Sequence, residues 1–556
     1  MKNFFLILVF VLSLWLVIPN RCPAKTNAGG NIFKEKAVFL GKLPEGLTII
    51  PKSLKYSFDI KSITYVAYND KKENIVYLNN TPSQLYYAVL RGTPIFSPVK
   101  NRHAYIAASL PHGKLMFVVI DGKRGLSFDA IDHLIFSPDD SRYAYRAQKG
   151  DKECVVVDGK PGPFYDGIPI DKNMVFSPDS KHFAYVALKN NKCVLVVDGV
   201  EEKKGFNFIK DVIFSPDSAH ISYKGRIEKK ENFEKWCLVT DGKAGPAFNR
   251  ILNVTYSMDS KHYAYIALKD RKMMLVFDGK EGESHDGVGL PLFSPDNRHF
   301  ACAYMDQGKW HIEIDGKAGP SFDSLLKFYY SPDSSRYAYT AIKDKKFYCV
   351  VDGKISDGFK KIVAFKFSPD SSRYAYEAAL KRGACVIVDG VKGPLYASVG
   401  EPYFSPDSKN VVYKGLSMEP KKHYWHTILN GIESPLPFYG IKEYHFSPDS
   451  KRLAYSALYN RGKSVMVVDG KMQTIVRING MPFFSPDSTH IAYHAFTMDK
   501  KWVIFVDGKQ LAGEYGGFMK GTPMVFDSPT HFHTIALNDP GPTFLRIEVD
   551  ISGNLP

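Results

Sequence analysis

Three features of this 556-residue sequence predict an all-β fold built from four-stranded blades, a β-propeller. One unit recurs at steps of 37 to 42 residues through most of the chain. Two kinds of turn punctuate it, Ser-Pro-Asp-Ser and Asp-Gly. The runs between the turns are short and rich in Val, Ile, Tyr and Phe, and no helical period of about ten residues follows the leader.

Each copy opens on an aromatic residue: Phe96, Phe136, Phe176, Phe214, Tyr256, Phe293, Tyr330, Phe367, Phe404, Phe446, Phe484 and Phe526. A degraded copy opens earlier, at Tyr56, which brings the expected number of blades to about 13. Strand a ends in Phe-Ser-Pro, where proline presets the backbone and the serine and aspartate side chains bond nearby amides. Strand b is the Ala-Tyr-x-Ala run, as in Ala184–Ala187. Strand c is a valine run such as Val155–Val157, and its lack of polar alternation predicts cover on both faces. The Asp-Gly that follows suits a type I′ hairpin, because glycine accepts positive φ. Strand d is the Gly-Pro-x-Phe/Tyr-Asp segment.

Phe176-Ser-Pro-Asp-Ser180, Ala184-Tyr185 and Val196-Val-Asp-Gly199 together resemble the WD-like propeller repeats of the TolB type, also seen in the propeller lids of prolyl oligopeptidases. Serine stands here where that family often has glycine after the aspartate, which leaves the turn intact. The repeats run to the end of the sequence with no hydrolase domain after them, so the resemblance implies an architecture and no particular activity.

Met1 to Ala24 read as a signal peptide: Lys2, an apolar stretch from Phe4 to Ile18, the break at Pro19 and a small-x-small cleavage site at Cys22-Pro-Ala24. An uncleaved anchor is the alternative. Residues 25–46 are polar and read as a tether, and Leu47–Ile50 has the spacing of a strand. The last copy lacks a strand d, so an N-terminal strand is expected to complete it. Thirteen copies exceed the blades usual in one ring. Two rings of about six and seven blades are therefore expected, 47–285 and 286–556, with one oversized ring as the alternative. The sixth copy's Gly282–Leu290, which lacks the Gly-Pro core, marks the seam.

Lysine and arginine number 73 against 58 acidic residues, a net charge of +15. In a four-stranded blade the b–c loops share one side, and here they gather cations. The candidate binding residues are Lys149, Lys152, Lys189, Lys192, Lys229, Lys230, Lys269, Arg271, Lys272, Lys343, Lys345, Lys346, Lys421, Lys422, Lys500 and Lys501. Such a side steers acidic partners in a salt-dependent way. The longest b–c insertions, Lys224–Lys235 and Lys414–Tyr424, are expected to be loops.

Cys154, Cys193, Cys237, Cys349 and Cys385 lie in strand c and Cys302 in strand b, without a Cys-x-x-Cys pair, and are expected to be buried free thiols. His182, His220, His262, His299, His490 and His531 share one slot with Arg102, Arg142, Arg336, Arg373 and Arg452. A slot that takes either residue type is structural, bonding a turn carboxylate, and no metal or cofactor is expected. Nucleophile-elbow, zinc-protease, calcium-loop and phosphate-loop motifs are absent. The expected function is an exported, non-catalytic scaffold, periplasmic or at the cell surface, that binds a protein or an anionic glycan rather than nucleic acid, with no transmembrane span after leader removal. An envelope-glycan enzyme and a structural element of a surface assembly are the alternatives.

Overall fold

The computed structural model describes residues 33–552, except 110–114, 170–173, 231–232, 290, 420–422, 461–462, 479–480, 498, 520–522 and 539–542. The leader and the first part of the tether lie outside the described residues. Thirteen blades follow one another, each with its strands hydrogen-bonded in the order a-b-c-d. Blade 3 is representative: Ala130–Phe136, Tyr143–Lys149, Lys152–Val157 and Lys160–Pro161. The one helical element among the described residues is the short 3-10 turn Pro51–Ser53.

Two compact units make up the chain. One runs to Ala130 and resumes at Ser434, holding blades 11, 12, 13, 1 and 2. The other, Ile131–Glu433, holds blades 3 to 10. Within each, neighbouring sheets share a core. Ala184, Val186 and Leu195 of blade 4 pack on Tyr223, Cys237 and Val239 of blade 5. Strand c is buried almost throughout because it has a sheet on each side, and each side chain so covered contributes about 1.5–3 kcal/mol.

The Ser-Pro-Asp-Ser turns join blade to blade. Ser177 Oγ, fully buried, donates to Asp179 (2.6 Å) and accepts the His182 amide (2.9 Å), closing its own turn. The Asp179 amide then donates across the junction to Ser218 Oγ of the next blade at 3.0 Å. The same bond runs from Asp139 to Ser180, Asp217 to Ser260, Asp296 to Ser334, Asp333 to Ser371, Asp370 to Ser408 and Asp449 to Ser488, at 2.9–3.0 Å. Where the receiving residue is asparagine, its Oδ1 accepts one residue earlier, from the amide that replaces proline before the aspartate: Asn101 accepts from Phe58 and Asn297 from Met258. The receiving residues adopt positive φ, 65° at Ser180 and 67° at Ser371.

The shared His/Arg slot bonds a turn carboxylate, that of the Asp-Gly hairpin. His182 Nδ1 meets Asp198 at 2.7 Å, and His220, His262, His299 and His490 repeat this with Asp241, Asp278, Asp315 and Asp507. His531 differs and lies 3.5 Å from Asp550, where no Asp-Gly follows. Arginine in the slot does more. Arg142 Nε bonds Asp158 (2.9 Å) while its Nη1 donates to the Lys181 carbonyl of the next blade (2.6 Å). Arg336, Arg373 and Arg452 reach across in the same way.

The last blade is completed from the other end of the chain, as expected, but by a different segment. Lys34–Lys42, inside the stretch read as a tether, pairs antiparallel along Thr543–Asp550. Thr48–Ile49 instead belongs to strand a of blade 1, opposite Tyr68 and Ala67. The short apolar run Ala37–Leu40 is hidden in the sequence by flanking lysines. Glu35 accepts the Tyr515 hydroxyl and the Gly513 amide (2.8 Å) of blade 12. In doing so it takes the place held elsewhere by strand-d glutamates: Tyr165 donates to Glu201 at 3.0 Å and Tyr396 to Glu433 at 2.7 Å. Ile63, Tyr65 and Tyr77 of blade 1 pack on Leu40, Ile535 and Phe544, so first and last blades share a core. The Lys224–Lys235 insertion is a ladder rather than a loop, Ile221–Lys230 against Phe233–Thr240.

The clasp can be tested by substitution. Glu35→Ala leaves the Tyr515 hydroxyl without its acceptor and is expected to lower stability by about 1–3 kcal/mol in urea unfolding. Lys36→Ala, which removes an exposed contact to Glu548, is expected to change it by less than about 0.5 kcal/mol.

Acid acts in two stages. Burial pushes His103 down to about 4 and His494 down to about 3. The His494 ring, stacked 3.8 Å from Phe518, is the more strongly displaced of the two. Between the ordinary histidine range and these values the unfolded chain binds more protons than the folded one, so stability falls as pH drops from about 6.5 to about 4. The turn aspartates carry the second stage. Hydrogen bonds from Ser368 and Ser372 hold Asp370 at about 2, and Asp179 lies lower still. Their contribution is present above about pH 4 and is lost as pH falls further. Urea midpoints measured from about pH 7.5 to about pH 2.5 are expected to decline in both windows, and a flat profile between about pH 6.5 and about pH 4 would contradict the histidine assignment.

Candidate macromolecule-binding surface on the b–c turns

The b–c turns of blades 4, 6, 7 and 8 are tight hairpins with two residues at positive φ: Asn190-Asn191, Asp270-Arg271, Gln307-Gly308 and Asp344-Lys345. Lysines flank the turns of blades 3, 4, 6 and 8 at the end of strand b and the start of strand c, so in these blades the repeat itself sets cations beside the turn. Lys149, Lys152, Lys189, Lys192, Lys269, Arg271, Lys272, Lys343, Lys345, Lys346, Lys500 and Lys501 are all exposed. The side chains of Lys229 and Lys230, and Lys421 and Lys422 entirely, lie outside what the structure describes.

A feature the sequence reading missed aligns these turns. The residue after the strand-d aromatic, Asp or Asn, bridges the b–c turns of successive blades. Asp166 accepts Lys152 Nζ of blade 3 (2.6 Å) and the Asn190 amide of blade 4 (2.8 Å). Asp286 accepts Lys272 of blade 6 and the Gln307 amide of blade 7. Asp323 accepts Lys309 of blade 7 and the Asp344 amide of blade 8. Asn207 accepts Lys192 and donates to the Ile227 carbonyl, and Asn249 accepts the Asp270 amide. From blade 3 to blade 8 the turns are thus tied side by side in a row. The aspartate in the Gly-Pro-x-Phe/Tyr-Asp segment was the available signal.

The same bonds divide the predicted cations into two groups. Lys152 and Lys272 are held by Asp166 and Asp286, Lys189 and Lys269 by Glu201 and Glu281, and Lys501 by Glu514. The lysine charges in turn hold the Asp166, Asp286 and Asp323 carboxyls below the usual carboxylate range, chiefly through the direct hydrogen bond. Lys149, Arg271, Lys343, Lys345 and Lys346 make no ion pair among the described residues of this unit, and three of these five sit in the blade 8 turn.

Four charged groups follow the strand-b tyrosine where most blades have an apolar or small residue: Arg146, Lys224, Glu377 and Lys414. Arg146 bonds Asp132 and approaches Glu153, the buried Lys224 meets Asp211 at 3.0 Å, burial pushes the Glu377 carboxyl up, and Lys414 Nζ lies 5.3 Å from the Trp425 ring centre. The six cysteines outside the leader are free and buried, and burial pushes Cys154 up to about 11 and Cys302 and Cys349 up to about 12. Such thiols are poor nucleophiles at neutral pH. Among the described residues no three His, Cys, Asp or Glu side chains converge as metal ligands would.

No family model and no curated protein matches the chain. Among solved structures, a eukaryotic initiation factor overlaps 61% of this chain and 96% of its own at 14% identity, with a TM-score of 0.29. TolB from Acinetobacter baumannii overlaps 49% of this chain and 78% of its own at 16% identity and a TM-score of 0.21. A putative TolB from Agrobacterium tumefaciens overlaps 36% and 85% at 14% identity and a TM-score of 0.20. That this chain is a β-propeller repeat protein rests on its own thirteen four-stranded blades.

Proposed function

We propose that this protein is an exported, non-catalytic binding scaffold whose row of b–c turns docks an acidic macromolecule, a protein or an anionic glycan. The carrying observation is the tied row itself, which holds the uncompensated cations Lys149, Arg271, Lys343, Lys345 and Lys346 on a rigid base. Fixed turns lose little conformational freedom on binding, and an excess of cations over anions raises the encounter rate with an opposite charge. The net charge of +15 and the leader sequence support the same reading.

The test uses the mature chain on immobilised heparin and on immobilised polyglutamate. Retention at low salt is expected to fall steeply as salt rises. Replacing Lys343, Lys345 and Lys346 together by glutamate is expected to weaken retention about tenfold or more, about 1.4 kcal/mol. Replacing the compensated pair Lys152 and Lys272 by alanine should matter much less. Equal retention of the triple variant and the parent would overturn the proposal.

A further inference from the structure

The bridging of successive b–c turns stops at blade 8, and it stops at a lysine. In blades 3, 6 and 7 the residue after the strand-d aromatic is Asp166, Asp286 or Asp323. One oxygen of its carboxylate takes the lysine that opens strand c, and the other takes an amide of the next blade's turn. Blade 4 sets Asn207 on Lys192. Blade 8 keeps the opening lysine, Lys346, but places Lys360 where the acceptor stands.

The backbone at this junction keeps the pattern of the bridged ones. Phe347 and Phe359 exchange amide hydrogen bonds of 2.9 Å, as Glu153 and Tyr165 do at 3.0 and 2.8 Å in blade 3. The Lys360 amide donates to the Ala379 carbonyl of blade 9 at 2.9 Å, as the Asp166 amide donates to Leu188 of blade 4 at 3.0 Å. The exchange is therefore one of side chain alone, acceptor for cation. Its surroundings are cationic too. Lys343 and Lys345 belong to the blade 8 turn, and Lys381 and Arg382 form the tip of the blade 9 turn, between Tyr374–Ala379 and Ala384–Val388. These four, with Lys346 and Lys360, are exposed and make no ion pair among the described residues. The Lys381 amide likewise makes no hydrogen bond among them. Asp344 is the single acid in the two turns.

We infer that the b–c side of the blade 8–9 junction seats a carboxylate side chain of an acidic protein segment, the partner bringing to Lys346 and Lys360 the group that Asp323 brings to Lys309 one blade earlier. This rests on the reading of the turn row given above and deepens it: the row attracts acids in general, and this junction holds one of them in place. The repeat itself selects the group. A carboxylate does this work after blades 3, 6 and 7, carried each time on peptide backbone. Ammonium-to-carboxylate hydrogen bonds are about twice as strong as neutral ones, and six cations against one acid leave charge to spare for them. Neither turn offers an aromatic face to a sugar ring, which leaves charge as the means of recognition.

The probe is an N-acetylated octa-aspartate peptide, titrated into the mature chain by calorimetry in about 0.15 M salt, where charges more than about 8 Å apart are largely screened. Saturable binding is expected. Lys360→Asp rebuilds the internal bridge of Asp323 and should weaken the peptide at least about tenfold while keeping or raising the melting temperature. Lys360→Asn, the residue type blade 4 uses, should act in the same direction with a smaller change of charge. Lys317→Asp, an equal charge change on the exposed strand d of blade 7, should stay within about threefold of the parent. An oligogalacturonate of equal charge that binds more tightly than the peptide and is weakened by Lys360→Asp would assign the junction to an acidic glycan and overturn the inference. Equal effects of Lys360→Asp and Lys317→Asp would also overturn it, while leaving the wider row to stand on the Lys343, Lys345 and Lys346 variant. Loss of that wider row would show instead as a parent chain retained on neither heparin nor polyglutamate.

Discussion

The hydrogen bond from a turn aspartate amide to the following blade's serine hydroxyl, seen at seven junctions among the described residues, is the constraint on which this structure depends. A four-stranded sheet of some forty residues buries too little by itself to persist, so every blade needs a neighbour on each face. Apolar packing supplies most of the free energy but is tolerant of sliding. The directional bond between turns fixes the register of one sheet on the next. Its geometry repeats within 0.1 Å from Asp139–Ser180 to Asp449–Ser488, which keeps the stacked cores in phase.

From that register the rest of the surface chemistry follows. Once the sheets are in phase, Asp166 and its counterparts meet the next blade's b–c turn, and the arginines of the shared slot meet the next blade's carbonyls. Histidine in the slot keeps the bond within its own blade and leaves the junction to packing and the serine bond. The N-terminal strand joins by imitation: Glu35 enters the bond that Glu201 and Glu433 make elsewhere.

Much of this was legible in the sequence because the chemistry is local. Ser177, Asp179 and the Asp198-Gly199 hairpin act within a few residues of themselves, and their spacing alone marks strands and turns. The valine runs and the buried cysteines within them announce a sheet covered on both faces. What could not be read depends on residues brought together by stacking. Asp166 lies 14 residues from Lys152 and 24 from the Asn190 amide, separations that carry no signal until blades 3 and 4 are side by side. Lys34–Lys42 passed as a tether because an edge strand shows lysines outward and only a short apolar core. The lysine inventory overstated the free charge for the same reason, since Lys152, Lys189, Lys269, Lys272 and Lys501 meet carboxylates supplied by other strands.

Equilibrium unfolding of two variants at one junction tests the central claim most directly. Ser371→Gly keeps the backbone freedom that a φ of 67° requires but removes the acceptor for the Asp333 amide. Ser371→Asn alone supplies no equivalent, because Asn297 accepts from Met258, the residue before the aspartate, and Pro332 in that place has no N–H; Pro332→Met with Ser371→Asn rebuilds that arrangement. The account predicts that the glycine variant loses about 1 kcal/mol or more, with faster amide exchange at Asp333, and that the Pro332→Met, Ser371→Asn double variant stays within about 0.5 kcal/mol of the parent. Equal stability of the glycine variant and the parent, with Asp333 exchange unchanged, would contradict it.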